Sequence, residues 1–274
     1  MPATNRSHAA PLLVVGCVIF GLGSLIVKFV PVGSYAIAFW RLLIAIAFWR
    51  LAIAAIIFWL LARFFGQKLP QNRKAAYTAL LSGVFLAFDL ALWHESIHAV
   101  GPGISTLLNS LQIFFLSAIG FFFYRERLNK LQVLSLLLAV VGVALIGSPE
   151  FGHNDNAVWG FVSGIISGAM LALSMVFVRK THQIEPVPLF SVMMILSFGG
   201  AVSLIIPALV FDGGTLYPTT LRDIGWVLVY GAVMQCFAWG LIAYSIPMLS
   251  LSLTGLLLLQ LHAAKRPSTW PLVA

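Results

Sequence analysis

The most informative segment of the sequence runs from Leu81 to Ile146 and reads LSGVFLAFDLALWHESIHAVGPGISTLLNSLQIFFLSAIGFFFYRERLNKLQVLSLLLAVVGVALI. It contains three apolar segments, and each is long enough as a helix to cross the roughly 30 Å hydrocarbon core of a bilayer. The first two are joined by His94–Gly103, which has no Lys or Arg, and the last two by the basic Arg125–Lys130. The stretch therefore predicts consecutive transmembrane helices.

Three polar side chains, Asp89, Asn109 and Gln112, lie inside these apolar segments. Polar groups are costly in lipid, so we expect them to face other helices or a water-filled cavity. Asp89 has two open interpretations. It binds a proton or a cationic substrate, or it is a structural carboxylate, paired with an arginine such as Arg41 or wetted near the outer interface. The pattern is typical of a helical pore or transporter.

The order of motifs in this stretch resembles the EamA module of the drug/metabolite transporter superfamily. In chain order the motifs are Asp89-Leu-Ala-Leu-Trp93-His94-x-Ser96-Ile97, Thr106-Leu-Leu-Asn109, Arg125-Glu126-Arg127-Leu128 and an apolar helix containing Gly142. The resemblance implies a secondary transporter, a permease that works by alternating access and often exports its cargo. The implied cargo is a small organic metabolite such as an amino acid or an amine.

Composition indicates the same structural class. Of the 274 residues, 61% are hydrophobic and only 9% are charged, whereas soluble domains carry roughly 25% charged residues. The formal charge is +8, but the basic residues form short clusters between apolar spans, which favours membrane topology over nucleic-acid binding. Cys17 and Cys236 both lie in apolar spans and do not indicate a disulfide framework. We therefore expect an all-α polytopic membrane protein.

About eight full transmembrane helices and a short ninth are predicted. Outside the first stretch, the predicted spans are roughly 11–30, 34–62, 157–178, 187–210, 224–246 and the short 249–264. They divide into a first five-helix repeat at 11–148 and a second repeat at 157–264. An acidic Gly/Pro/Asn/Asp-rich turn, Ser148–Asn156, separates the two.

The second half partly repeats the first at a constant offset of 148 residues. The matched pairs are Leu80 and Leu228, Gly83 and Gly231, Thr106 and Thr254, Leu108 and Leu256, Leu111 and Leu259, and Gln112 and Gln260. Five crossings separate the starts of the halves, so the two begin on opposite membrane sides. The prediction is an inverted repeat of five-helix units, with substrate bound near the midplane between them.

The second repeat is expected to be incomplete. After Gln260 the family pattern would continue through a tenth helix, but the sequence reads Leu-His-Ala-Ala-Lys265-Arg266-Pro267 and soon stops. A truncated or frameshifted reading frame explains this, and residues 265–274 are interpreted as a tail outside the family pattern. A remnant without transport activity is therefore one alternative function.

Alternate connections differ strongly in positive charge, which predicts the orientation. With the N-terminus inside, ten cations lie on the cytoplasmic side: Arg6, Arg63, Lys68, Arg73, Lys74, Arg125, Arg127, Lys130, Arg179 and Lys180. Only Lys28 and Arg222 lie on the other side through the eighth span. The positive-inside rule then predicts a cytoplasmic N-terminus in a bacterial inner (plasma) membrane.

The second span contains a tandem duplication. Ala36–Ile44 (AIAFWRLLI) is followed at once by Ala45–Ile53 (AIAFWRLAI). Nine residues at ~100° each place Arg41 and Arg50 on nearly opposite sides of a helix, so both cannot face the protein interior. One copy is supernumerary, and the sequence does not decide which.

The candidate cavity-lining residues are the polar and aromatic side chains within the spans. They are Ser24, Asp89, Trp93, Ser105, Asn109, Gln112, Gln235 and Trp239. The alternative for the polar ones is hydrogen bonding between helices, and for the tryptophans it is lipid-facing packing. Arg41 and Glu126 are expected to have structural or interface roles.

Metal, cofactor and catalytic sites are not expected. His94 and His98 have the i, i+4 spacing of zinc ligands, but no third ligand is evident, so interfacial histidines are the prediction. No phosphate-binding Gly-rich loop or nucleophile motif occurs. An integral-membrane enzyme using Asp89, His94, Glu95 and His98 remains the second alternative function. The expected partners are a small-molecule substrate and the lipid bilayer, with a homodimer as a candidate assembly.

Overall fold

The computed structural model describes residues 11–16, 18–19, 39–125, 130–147, 154–212, 224–225, 228–229 and 231–245. The helices are α1 (residues 11–16 and 18–19), α2 (Phe39–Phe64), α3 (Arg73–Asn109), α4 (Gln112–Tyr124), α5 (Lys130–Gly147), α6 (Ala157–Ile184), α7 (Leu189–Asp212), a π-helix (Gly231–Ala238) and α8 (Trp239–Ser245). No strand occurs in these ranges, which confirms the all-α prediction.

Long apolar helices make this a multi-pass membrane protein. Within the described ranges, four stretches are long and apolar enough to cross a bilayer: Ala47–Phe64, Arg73–Tyr124, Ala157–Ile184 and Leu189–Pro207. Large apolar side chains also cover the outer surface, as at Phe122 and Phe123, which are 75% and 81% exposed. Such a surface is matched by lipid rather than by water. The predicted short ninth helix and the tail lie outside the described residues.

α3 is a helical hairpin that folds back at Gly101. Ser105 Oγ donates a 3.1 Å hydrogen bond to the carbonyl of Trp93, although residues 12 apart in a straight helix would be about 18 Å apart. The backbone of Gly101 has φ 82° and ψ 160°, a region that only glycine adopts readily. The expected connection over His94–Gly103 was therefore too long, because the first arm stays helical to Val100.

A row of polar contacts, the α3–α6 seam, joins the first arm of α3 to α6 in antiparallel register. Asn72 N donates to Glu185 Oε2 at 2.9 Å at one end. Further along, Thr181 Oγ1 donates to Thr78 Oγ1 at 2.9 Å, and Ser82 Oγ lies 3.1 Å from Ser174 Oγ. Hydroxyl groups between membrane helices are satisfied in this way without water.

Glycines let α6 approach both arms of the hairpin closely. A Cβ atom at Gly160 would lie 2.7 Å from Ala99 Cβ, and one at Gly168 would lie 2.8 Å from the carbonyl oxygen of Asn109. Gly160, Gly164 and Gly168 follow one another at four-residue spacing and form a small-residue face of α6 that lies against α3.

The part of the eighth span that the structure describes differs from an ordinary helix. Residues Gly231–Ala238 form a π-helix, and α8 continues from Trp239 to Ser245. Helices of this kind are rare and occur frequently at functional sites, because the wider turn re-aims the side chains.

Candidate functional site

Asp89 lies in a buried cluster of three polar side chains from α3 and α6. Its Oδ1 atom accepts hydrogen bonds from Asn109 Nδ2 at 2.7 Å and from Ser167 Oγ at 2.6 Å. Asn109 Nδ2 also lies 2.6 Å from Ser167 Oγ, which accepts its second hydrogen. Asp89 is 2% exposed and Asn109 is 8% exposed. The hairpin at Gly101 makes this possible, because it brings residues 20 apart in sequence together across α3.

A second polar contact joins α2 to the π-helix. Arg50 Nε donates a 2.9 Å hydrogen bond to Gln235 Oε1, and both side chains are almost completely buried. A guanidinium at this depth requires hydrogen-bond acceptors or negative charge around it. The second copy of the duplicated segment therefore supplies the interior arginine.

Arg50 connects the two contacts into one site. Its charge acts electrostatically on Asp89, although the hydrogen bonds of that carboxylate come from Asn109 and Ser167. The suggested pairing of Asp89 with Arg41 stays a prediction, because the side chain of Arg41 lies outside the described residues. Asp89 is about 24 Å along α3 from Arg73, and Arg50 about 21 Å along α2 from Phe64. Since both helices end at the loop 65–72, the two charges lie at similar depth.

The remaining predicted residues are buried around this site but differ in role. Ser105 uses its hydroxyl to close the hairpin, which favours interhelical bonding over cavity lining. Trp93 and Trp239 are 4% and 1% exposed, so neither faces lipid. Gln112 is 1% exposed, and its Oε1 atom has no hydrogen-bond partner among the described residues. The Nε2 atom of Gln235 also has no hydrogen-bond partner among the described residues.

His94 and His98 have different surroundings. His94 is fully buried, with its ring 5.5 Å from that of Trp93, whereas His98 is exposed. The expectation of interfacial histidines concerns depth in the bilayer, which burial within the protein does not decide, so it stays a prediction. In the ranges that the structure describes, no three His, Cys, Asp or Glu side chains come together as metal ligands.

Two further predicted residues, Ser24 and Glu126, lie outside the described residues. Ser167, which contacts both Asp89 and Asn109, was not among the residues predicted from the sequence. A signal was present, because Ser167 adjoins Gly168 on the small-residue face of α6 and a hydroxyl there meets the facing helix.

The comparisons with known proteins agree with this architecture. The sequence model of the EamA-like transporter family matches residues 9–148. The chain belongs to the EamA-like transporter family. Within this EamA-like chain, the matched part contains Arg50, Asp89, Asn109 and Gln112, while Ser167 and Gln235 follow it.

Several curated relatives are similar at low identity. A probable amino-acid metabolite efflux pump of Salmonella typhimurium (strain LT2) is 25% identical over 147 residues, or 53% of this chain and 48% of that protein. A protein of the same description from Escherichia coli (strain K12) is 25% identical over 65% of this chain and 59% of its own length. An uncharacterized transporter of Bacillus subtilis (strain 168) is 26% identical over 66% and 57%. The EamA-like chain thus spans about half to three fifths of these relatives.

A solved protein crystal structure has the same fold. It superimposes with a TM-score of 0.71 at 16% sequence identity, covering 94% of this chain and 86% of that one. At this identity the likeness concerns the fold alone.

Proposed function

We propose that this EamA-like chain is a secondary transporter that exports a small organic metabolite by alternating access. The proposal rests on two opposite charges, Asp89 and Arg50, that are both buried in the protein, far from either end of their helices, and act on each other electrostatically. Charged groups within membrane spans mark substrate or ion pathways more often than structural sites. The curated relatives are described as efflux pumps or as a transporter, which favours a transporter over a membrane enzyme.

The packing of the helices supports two halves of inverted topology. With an offset of 148, α1, α2 and α3 correspond to α6, α7 and the π-helix with α8. α3 packs on α6. α1 packs on the π-helix and α8, where a Cβ at Gly16 would lie 2.8 Å from the Ala238 carbonyl oxygen and 3.0 Å from Ile242 Cγ1. The two contacts correspond, because exchanging the first half for the second converts one contact into the other. α2 and α7, which correspond to each other, pack together.

Two glycines at equivalent positions in the halves also make equivalent contacts. Gly83 and Gly231 are 148 residues apart, and Gly83 meets α7 while Gly231 meets α2. A Cβ at Gly231 would lie 3.2 Å from Ile53 and 3.5 Å from the Arg50 carbonyl. A transporter built from inverted repeats binds its substrate where the halves meet, near the midplane. Arg50, Asp89, Ser167 and Gln235 come from both halves and lie in that region.

The charges at the site suit a zwitterion or an amine. The Asp89 carboxylate is the complement of an ammonium group, and the Arg50 guanidinium is the complement of a carboxylate. Gln112 Oε1 and Gln235 Nε2 add a buried acceptor and donor that no described residue satisfies. Unsatisfied buried groups of this kind are costly unless a ligand or water pairs with them. We therefore propose an amino acid or a related amine as the cargo.

Asp89 is also the proposed coupling residue. Proton uptake by a carboxylate that faces an arginine would weaken their attraction, and opening of the halves would follow. The site would then alternate between a charged and a neutral form as substrate leaves. The further expectations of an inner-membrane location, a cytoplasmic N-terminus and a site without metal or nucleic acid belong to the same proposal.

Flux measurements in proteoliposomes test this function. The full chain is reconstituted, loaded with a panel of radiolabelled amino acids and amines, and given a pH gradient. Asp89→Asn should abolish the gradient-dependent flux of the cargo. Asp155→Asn, the same change at an exposed aspartate, should leave it unaltered. No flux above empty liposomes for any compound would refute the transporter, and full flux in Asp89→Asn would refute coupling through this carboxylate.

A further inference from the structure

An apolar groove of about 540 Å³ lies on the outer face of α2, α3 and α7, away from the buried charges. Its walls are Ile56 and Trp59 on α2 and Ala76 and Leu80 on α3, and Met194 and Phe198 of α7 form its floor. We call this surface the outer groove.

The outer groove opens toward the lipid. Ile56 is 60% exposed, Trp59 is 51% exposed and Phe198 is 58% exposed. All three belong to helices with candidate membrane spans. A hydrocarbon chain is the complement of such a surface.

Two arginines lie above the groove at one membrane face. Arg63 follows Trp59 by four residues on α2, so the two side chains share a helix face. Arg73 precedes Ala76 by three residues and Leu80 by seven on α3, which again puts it in line with the groove wall. The Phe190 backbone N–H donates to Gln67 Oε1 at 2.9 Å, so the start of α7 is held at the same end.

These arginines are not used by the fold. Both are exposed, and neither makes an ion pair with another residue in the part of the chain that the structure describes. Arg73 is also the first residue of α3, and the first turn carries no acidic residue to offset it. A cation at a helix N-terminus opposes the helix macrodipole. The carboxylate that offsets the macrodipole at this end is that of Glu185, which accepts hydrogen bonds from the backbone N–H groups of Gln71 and Asn72.

We propose that the outer groove and its two arginines form a binding site for an anionic phospholipid. An acyl chain occupies the groove, and Arg63 and Arg73 bind the phosphate of the headgroup by charge-assisted hydrogen bonds. Basic pockets between membrane helices recognise anionic headgroups by this combination of charge and apolar contact. Along α2 and α3 the two arginines are about 20–24 Å from Arg50 and Asp89, and the nearest groove residues named above are about 9–14 Å from them. None of the groove residues belongs to the buried polar site, so the lipid site does not depend on the proposed transport function.

Lipid titration of the purified full chain in detergent tests the site. Native mass spectrometry counts bound dioleoyl phosphatidylglycerol and dioleoyl phosphatidylcholine, which have the same chains and differ in net charge. The wild-type chain should retain phosphatidylglycerol preferentially. The double variant Arg63→Gln/Arg73→Gln should bind phosphatidylglycerol about thirtyfold more weakly. This expectation follows because each cation near the membrane surface strengthens binding of an anionic lipid by a factor of about five.

The control variant, Arg125→Gln/Lys130→Gln, removes two exposed cations at the α4–α5 junction and should keep the preference. Equal binding of both lipids by the wild type would overturn the proposal, since the groove would hold only bulk lipid. Equal weakening in both double variants would overturn it too, because general surface charge would be responsible. Crosslinking of a Trp59→Cys variant tests whether a second copy of the chain occupies the groove. If two such chains crosslink in equal yield with and without phosphatidylglycerol, the groove is assigned to a second copy instead of a lipid.

Discussion

Arg50 Nε donates a 2.9 Å hydrogen bond to Oε1 of Gln235, 185 residues further along the chain. Arg50 comes from α2 in the first half, and Gln235 comes from the π-helix in the second. The contact therefore joins the two halves directly, at the depth where Asp89 is also buried.

Replacing Arg50 with glutamine should destabilise the folded chain by on the order of 3 kcal/mol, because a buried carboxylate, Asp89, loses the cation that acts on it. Gln235 Oε1 would lose its charged donor in the same variant. Fluorescence-detected thermal unfolding in detergent measures the change. Arg41→Gln is the matched control, because the sequence spacing predicts that Arg41 and Arg50 lie on nearly opposite sides of the helix. This variant should unfold within about 0.5 kcal/mol of the wild type. Equal losses in the two variants would assign the interior role to both arginines.

Ser167 makes two interhelical hydrogen bonds, to Asp89 and from Asn109. Such bonds contribute about 0.6 kcal/mol each on average in membrane proteins, and more when an acceptor is charged. Ser167→Ala should therefore lower the unfolding free energy by about 1–2 kcal/mol. Ser163→Ala is the control on the same helix, because the buried Ser163 hydroxyl bonds only the Gly160 carbonyl within α6, and it should be close to neutral. A loss at Ser163 as large as that at Ser167 would contradict the assignment.

Much of the fold could be predicted from local sequence, because hydropathy decides which segments can enter lipid. The seventh span was predicted at 187–210 and α7 runs from Leu189 to Asp212. The sixth span continues further than expected, to Ile184, because the apolar run ends at Val178 but the helix and its hydroxyl contacts with α3 continue. Hydropathy indicates which residues can lie in the hydrocarbon core, whereas the residues at which a helix begins and ends also depend on tertiary contacts.

The site could be predicted only in part. Asp89 and Asn109 are isolated polar groups in apolar segments, so their burial followed from the cost of exposing them to lipid. The duplication made Arg41 and Arg50 indistinguishable, because identical neighbours give identical local signals. The partners Ser167 and Gln235 depend on the register of α6 and on a π-helical turn, and neither is encoded within a short window.

Gly101 offers a test of the hairpin on which the Asp89 cluster depends. A Cβ there would meet no atom within 4 Å, but the backbone has φ 82°, so the cost of Gly101→Ala is conformational and should be about 1–3 kcal/mol. Gly103→Ala is the control, since that site is equally open and its φ is not in the left-handed region. Thermal unfolding in detergent should separate the two variants clearly. Similar melting temperatures would mean that the turn adapts without strain.

The nine-residue duplication makes a sharper prediction about α2. Deleting residues 36–44 leaves Ala45 to Phe64 intact, including Arg50 and the buried Leu51, Ala54 and Phe58. Because the removed copy lies before these contacts, the shortened chain should fold with an unfolding free energy within about 1 kcal/mol of the full chain. Its flux should also match.

The matched deletion of residues 54–62 removes the same length but takes out the buried Ala54, Phe58 and Ala62. Loss of one large core side chain alone costs about 3–5 kcal/mol, so this chain should fail to yield a monodisperse peak in size-exclusion chromatography. A third deletion, of residues 45–53, moves Arg41 into the place of Arg50 and differs from the first only by Leu43 in place of Ala52. It should fold as well, with a small loss from the larger side chain against the core. If neither deletion of a single copy folds, both copies have structural roles and the interior arginine is not interchangeable.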